Sequence, residues 1–202
     1  MIGIDREAGF LDAARRHCPS NCTFVESDLA NLTAADLPLA NGLWSSFTAA
    51  YFPAFAPVLK QWASCIAPGG WLALVEIDDL FTGHHPLPED IQDEFREFAE
   101  QMRSNGRYDF SMGRRLGEIC RTAGLTVVSE HAWKDRELAF DGKASPEILA
   151  AWKQRFERLQ GMSVYFGAER FREITQAFLK AISSPDHYAT ASVVMVLAAR
   201  PF

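Results

Sequence analysis

The chain has 202 residues, of which 48% are hydrophobic and 23% charged, with a formal net charge of −6. That length suits one domain with a substantial core, and the balance is that of a folded protein rather than a disordered one. An acidic chain with no basic run is a poor partner for nucleic acid. Cys18, Cys22, Cys65 and Cys120 form no C-x-x-C pair, so buried reduced thiols are expected rather than a zinc site. The first residues do not read as a signal region, and the longest apolar run, in "ATASVVMVLAAR", falls far short of the roughly 20 residues that cross a bilayer. A cytoplasmic protein without a membrane partner is expected.

In chain order, Met1, Ile2 and Ile4 read as a strand over residues 1–5 with Asp5 at its carboxyl end. Leu11, Ala14 and Cys18 then share one helical face, and Pro19 ends the helix. "CTFVESDL" gives a strand near 23–27 ending in the acidic Asp28, and "GLWSSF" a strand near 42–47. A helix over Phe55 to Ile66 stops before the turn Pro68-Gly69-Gly70. "WLALVEI", near 71–77, is a continuous apolar strand, the pattern of a sheet covered on both faces. Alternating strands and helices predict a doubly wound α/β sheet with its chemistry at the carboxyl ends of the strands.

Beyond residue 80, Pro88 opens a helix with Ile91, Phe95, Phe98 and Met102 on one face, and a second helix over 112–123 ends at Gly124. "LTVVSE" is a strand near 125–130. Ser145 and Pro146 read as N-cap and first residue of a helix carrying Leu149, Trp152, Phe156 and Leu159. Phe171, Ile174, Phe178 and Ile182 mark another helix, and "SVVMVLAA" closes the chain as a buried strand near 191–199. Nothing divides the chain, so residues 1–202 are read as a single domain, with 80–122 as a helical lid or substrate segment.

"GID" followed by a helix, "VESDL", "LWSSFTAAYF", "VLKQWASCIAPGGWLALVEID" and the closing "SVVMVLAARP" together resemble the class I S-adenosylmethionine-dependent methyltransferases, in particular those acting on small molecules. The resemblance implies a Rossmann-like doubly wound sheet, mostly parallel, with its last strand antiparallel. The family's glycine-rich loop has no counterpart, because none of the thirteen glycines forms a G-x-G pair. The resemblance therefore implies an N-terminally truncated domain that starts at the family's second strand, with Met1 an internal methionine. A central strand would then be missing, and the strands around 2–4 and 43–46 would be left to pair directly, to borrow a strand from a partner or to leave the chain poorly stable.

The same resemblance implies S-adenosylmethionine as cofactor. Asp5 would hold the ribose hydroxyls, with a helix N-cap as its alternative reading. Asp28 and the Leu29 amide would read the adenine, and Ser45 and Ser46 would line the cofactor. Phe47 and Tyr51 would form walls for a small-molecule substrate, together with Glu76 and Asp78 and with Tyr108 in a covering segment. His84 or His85 would be the catalytic base where the acceptor is a hydroxyl. No metal is expected, and a homodimer is one arrangement left open. A methyltransferase-like subunit without catalysis is the second reading, since the cofactor loop is the missing motif. A nicotinamide-dependent dehydrogenase is the third.

Overall fold

The computed structural model describes residues 1–35, 37–52 and 54–202. The elements run β1 (Ile2–Asp5), α1 (Ala8–His17), β2 (Thr23–Glu26), a 3-10 turn (Leu29–Asn31), β3 (Ala40–Ser46), a second 3-10 turn (Ala49–Tyr51), α2 (Phe55–Ser64) and β4 (Ile66–Asp78). After these come β5 (His84–His85), α3 (Glu89–Ser104), α4 (Met112–Thr122), β6 (Thr126–Trp133), α5 (Pro146–Arg158), α6 (Gln160–Phe166), α7 (Ala168–Ile182), β7 (Tyr188–Ala189) and β8 (Ser192–Ala199). All six predicted strands are present. The short β5 and β7 and the helix α6 are additions that no hydrophobic period announces, because each is too short to complete one.

Four strands form the main sheet in the order β3-β4-β8-β6. β3 lies parallel to β4, while β8 runs antiparallel to both β4 and β6, as expected for the last strand. β1 and β2 pair in parallel as a separate two-stranded sheet, Ile2 opposite Thr23 through Asp5 opposite Glu26. Direct pairing of residues 2–4 with 43–46 is therefore not adopted. Among the described residues β1 and β3 each pair on one side only. The burial pattern follows: every residue from Leu72 to Ile77 in β4 is buried, whereas no residue of β3 is.

Among the described residues, two large apolar clusters form the core, beside a small one of Ala139, Ala189 and Ala191. The first lies on the sheet under α2 and α4. Phe55, Leu59, Trp62 and Ala63 are the buried face of α2, and Met112, Leu116, Ile119 and Cys120 that of α4. Ile4 of β1, Leu29 and Leu43 of β3 pack against this same cluster. α4 approaches the sheet closely at Gly113, where a Cβ would lie 3.0 Å from the Asp78 Cβ. The second cluster is aromatic and helical, with Phe81, Phe95, Trp152, Phe156 and Phe178 drawn from α3, α5, α7 and the segment after β4. The segment 80–122 is thus divided: α3 belongs to the helical layer, and α4 to the cover of the sheet. Among the described residues no helix is long and apolar enough to cross a membrane.

Local signals act where they were read. The Ser145 hydroxyl accepts from the Ile148 amide, with Pro146 at the first turn of α5. Gly124 follows α4 at φ +83°, a conformation that glycine adopts without a Cβ penalty. The carboxyl end of α2 is closed from a distance. Arg200, just past β8, donates through Nη1 to the carbonyls of Ala63 and Ser64 at 3.2 and 3.1 Å and to that of Ile66. A cation on free helix carbonyls satisfies acceptors that the helix cannot. Replacing Arg200 by Ala is expected to lower stability by about 1–3 kcal/mol, read from the midpoint of urea unfolding. An unchanged midpoint would show that water serves these carbonyls equally well.

Candidate functional site

The carboxyl ends of β3 and β4 open on a cavity of about 360 Å³. Its apolar walls are Phe47, Ile77, Leu80, Tyr108 and Leu138, and Asp135, Glu137 and Arg155 supply its polar side. Phe47 follows β3 directly. Its φ of 53° lies in the left-handed region that non-glycine residues seldom occupy, and its amide donates to the Val75 carbonyl at 2.8 Å. The neighbouring strand therefore fixes the backbone that presents this ring. Strained backbone at a strand end is a common companion of function.

The turn after Phe47 hangs on one buried acid. Thr48 makes no side-chain cap for the turn Ala49–Tyr51, and Glu76 of β4 takes that place, Oε1 accepting from the Ala50 amide at 3.3 Å. Glu76 is only 1% exposed, and its Oε2 has no hydrogen-bond partner. Burial raises its pKa from 4.5 to about 7, against the opposing pull of the backbone N–H groups of Ala50, Ala49 and Thr48. Tyr51, on this turn, meets Tyr108 edge-to-face at 4.9 Å, and the Asp109 amide donates to Ala50 O at 2.8 Å. Two distant segments, 48–51 and 108–111, are thereby joined over the end of β4. Burial, and then the nearby Glu76 charge, push the Tyr108 phenol well above its ordinary value.

Ion pairs brace the rim. The Arg114 Nε reaches both Asp78 oxygens at 2.8 Å, and its Nη2 pairs with Asp79. Buried Asp109 accepts from the Ser111 amide at 2.9 Å and pairs with Arg115. Asp78 and Asp79 are thus occupied in holding α4 to the end of β4.

Phe47 and Tyr108 line the cavity, Tyr51 touches Tyr108, and Glu76 and Asp78 lie at the end of β4 next to the lining residue Ile77. The residues expected to hold a cofactor sit at other strand ends. Asp5 ends β1, with Oδ1 accepting from the Glu7 amide at 2.8 Å. Asp28 follows β2 and caps the turn Leu29–Asn31, accepting from the Ala30 amide at 2.9 Å and from Asn31 Nδ2 at 3.2 Å. The Leu29 carbonyl takes the Trp62 indole N–H at 2.7 Å, which ties this end of the small sheet to α2. Ser45 and Ser46 are half-buried at the end of β3.

The expectation of a base at His84 meets a different placement. This ring is fully buried, with Nδ1 facing His187 Nε2 at 3.0 Å and Nε2 facing Leu138 O at 3.1 Å. Neither nitrogen is left for a substrate proton. His85 stacks on Tyr188 at 4.9 Å and does not line the cavity. The pairing of β5 with β7 brings His84 to His187 and His85 to Tyr188 instead.

Sequence reasoning missed the polar wall. Asp135 Oδ1 accepts from the amides of Glu137 and Leu138 and so shapes the loop after β6. The Trp152 indole donates to Glu137 O at 2.9 Å, and Arg155 lies 4.6 Å over the Trp152 ring while pairing with Glu137. The available signals were the charged run "KDREL" after a strand and the i, i+3 spacing of Trp152 and Arg155.

The raised Glu76 pKa has a stability consequence. The folded state holds this proton more tightly than the unfolded chain does, so there is no penalty below the unfolded pKa of 4.5, and stability falls as pH rises from there through about 7, above which the loss is complete. The full loss is up to about 3 kcal/mol, at about 1.4 kcal/mol per pKa unit. Glu76→Gln is expected to flatten that fall, read by denaturant unfolding on both sides of the Glu76 pKa. Parallel pH curves for the two proteins would contradict the raised value.

Comparison with known proteins places the architecture. No family model matches the chain. A trans-aconitate 2-methyltransferase of Methylobacterium nodulans is 32% identical over 87 residues, which make up 43% of this chain and 33% of that protein. The match thus spans about a third of the curated relative's length. Among solved structures, a candidate methyltransferase of Bacillus halodurans superposes with a TM-score of 0.61 at 17% identity, covering 100% of this chain and 83% of the other. A cyclopropane synthase of Mycobacterium tuberculosis gives 0.57 at 10% identity, with 98% and 69% covered. A phosphoethanolamine N-methyltransferase of Haemonchus contortus, solved with S-adenosyl-L-methionine, gives 0.51 at 16% identity, with 100% and 43% covered. With β3, β4 and β6 running one way and β8 inserted against them, the chain has the fold of the class I S-adenosylmethionine-dependent methyltransferases.

Proposed function

We propose that this chain transfers a methyl group from S-adenosylmethionine to a small-molecule acceptor in the cytoplasm. The observation that carries the reading is the cavity at the carboxyl ends of β3 and β4, where a doubly wound sheet places its ligands. Support comes from the methyltransferase segment match and from the neighbours of like fold, one of them solved with that cofactor.

The residues present suit the nucleoside half of the cofactor. Asp5 and Asp28 end adjacent parallel strands, and a carboxylate accepts hydroxyl and amino protons as a neutral side chain cannot. The Leu29 amide lies beside Asp28, and Ser45 and Ser46 lead toward Phe47 and the cavity. When bound, the cofactor supplies an activated methyl on a sulfonium. The chain's part is to seat the acceptor between Phe47, Leu80, Tyr108 and Leu138, to orient it from the Arg155 side and to exclude water. Alignment and dehydration are what an in-line transfer chiefly needs.

A second reading, a methyltransferase-like subunit or regulator without catalysis, is favoured by one observation. No G-x-G turn is present to let backbone approach the cofactor's methionine half. Calorimetric titration separates the two readings. S-adenosylmethionine is expected to bind and NAD is not, and Asp5→Ala is expected to weaken the cofactor at least about tenfold, or about 1.4 kcal/mol. No heat with S-adenosylmethionine would leave the non-catalytic reading, and unchanged affinity in the variant would make Asp5 only the acceptor for Glu7.

A further inference from the structure

Behind the cavity wall lies a chain of three nitrogen contacts whose protons can be counted. Leu138 O faces His84 Nε2 at 3.1 Å, His84 Nδ1 faces His187 Nε2 at 3.0 Å, and His187 Nδ1 faces Gly142 O at 3.1 Å. Both ends are carbonyl oxygens, which only accept, so each end contact needs an N–H on its ring. The middle contact needs one more proton between two ring nitrogens. Three protons are required, and two neutral imidazoles bring two. With two, one of the three contacts sets lone pair against lone pair.

We propose that His84 and His187 share a third proton, and that this singly charged pair is the positioning device that fixes the Leu138 wall of the cavity. His84 is fully buried and His187 is 2% exposed, so water does not take over a broken link. Aromatic rings enclose the pair: His84 lies 5.0 Å from Phe178 and 5.3 Å from Trp152, and His187 4.7 Å from Phe140. Leu138 lines the cavity, so the pair joins that wall to the segment before β7.

Charged groups on the surrounding elements set the range. Asp141 favours a charge on His187, while Lys134 opposes it there, Arg155 of α5 opposes it on His84, and His85 of β5 opposes it on both rings. Burial, and then a charge on the partner ring, pull His84 down to about 3, and burial lowers His187 also. Two full charges therefore do not coexist, and the pair takes up one proton in a single step that belongs to both rings. On the acid side of that step all three links are made. On the alkaline side one link opens, and the wall loosens.

The test follows the four ring nitrogens by 15N NMR of histidine-labelled protein between about pH 4 and pH 8. One proton is expected per chain, with one midpoint shared by both rings, and at that midpoint the Leu138 amide and the Trp152 indole N–H should shift. In His187→Gln the amide N–H can donate to His84 Nδ1, leaving the His84 Nε2–H for Leu138, so these signals should no longer respond to pH. Independent midpoints for the rings, no change in protonation over the range, or a wild-type midpoint retained in the variant would overturn the proposal. The wild-type titration decides alone if the variant does not fold.

Discussion

Strand β4 is the constraint on which the rest depends. It is hydrogen-bonded on both sides, parallel to β3 and antiparallel to β8, and its residues Leu72 to Ile77 are all buried. Such a strand has no freedom in register, because a slip of one residue would exchange the side chains facing α2 and α4 with those facing the other side. Its end is therefore fixed in place. Glu76 and Asp78 project from that end, one holding the turn that carries Tyr51 and the other holding α4 through Arg114.

The small sheet is attached more loosely. Among the described residues β1 and β2 pair only with each other, and Ile4, Leu29 and Leu32 pack this part of the chain onto the core under α2, with the Trp62 hydrogen bond to Leu29. β1 and β3 each keep one unpaired edge, and an unpaired edge is a liability that sheets usually cover. The two halves of the proposed site inherit this difference. The acceptor cavity stands on the rigid end of β4, whereas the acids proposed to hold the nucleoside stand on the two-stranded sheet.

Most of the fold was legible because its signals are local and periodic. The apolar run at 71–77, the i, i+4, i+7 face of α3, Ser145 with Pro146, and Gly124 each act within a few residues. What was not legible depends on partners distant in sequence. His84 is expected from the resemblance to be a catalytic base, whereas the structure buries it against His187, 103 residues away. Glu76 reads as a substrate contact, yet its firmest bond is to Ala50, 26 residues earlier. Asp135, Glu137 and Arg155 join the cavity because Trp152 and Arg155 of α5 hold the loop after β6, a contact of which "KDREL" and the Trp152–Arg155 spacing are only the separate local ends.

The central claim is that a nucleoside is held at the carboxyl ends of β1, β2 and β3 beside an acceptor cavity at the end of β4. Its most direct measurement is a map of backbone amide shifts as S-adenosylhomocysteine is added to 15N-labelled protein. The account predicts shifts gathered at Asp5 to Glu7, Asp28 to Ala30 and Ser45 to Phe47, with α6 and α7 unmoved. Shifts gathered on the helical layer instead, or none at saturating ligand, would contradict it.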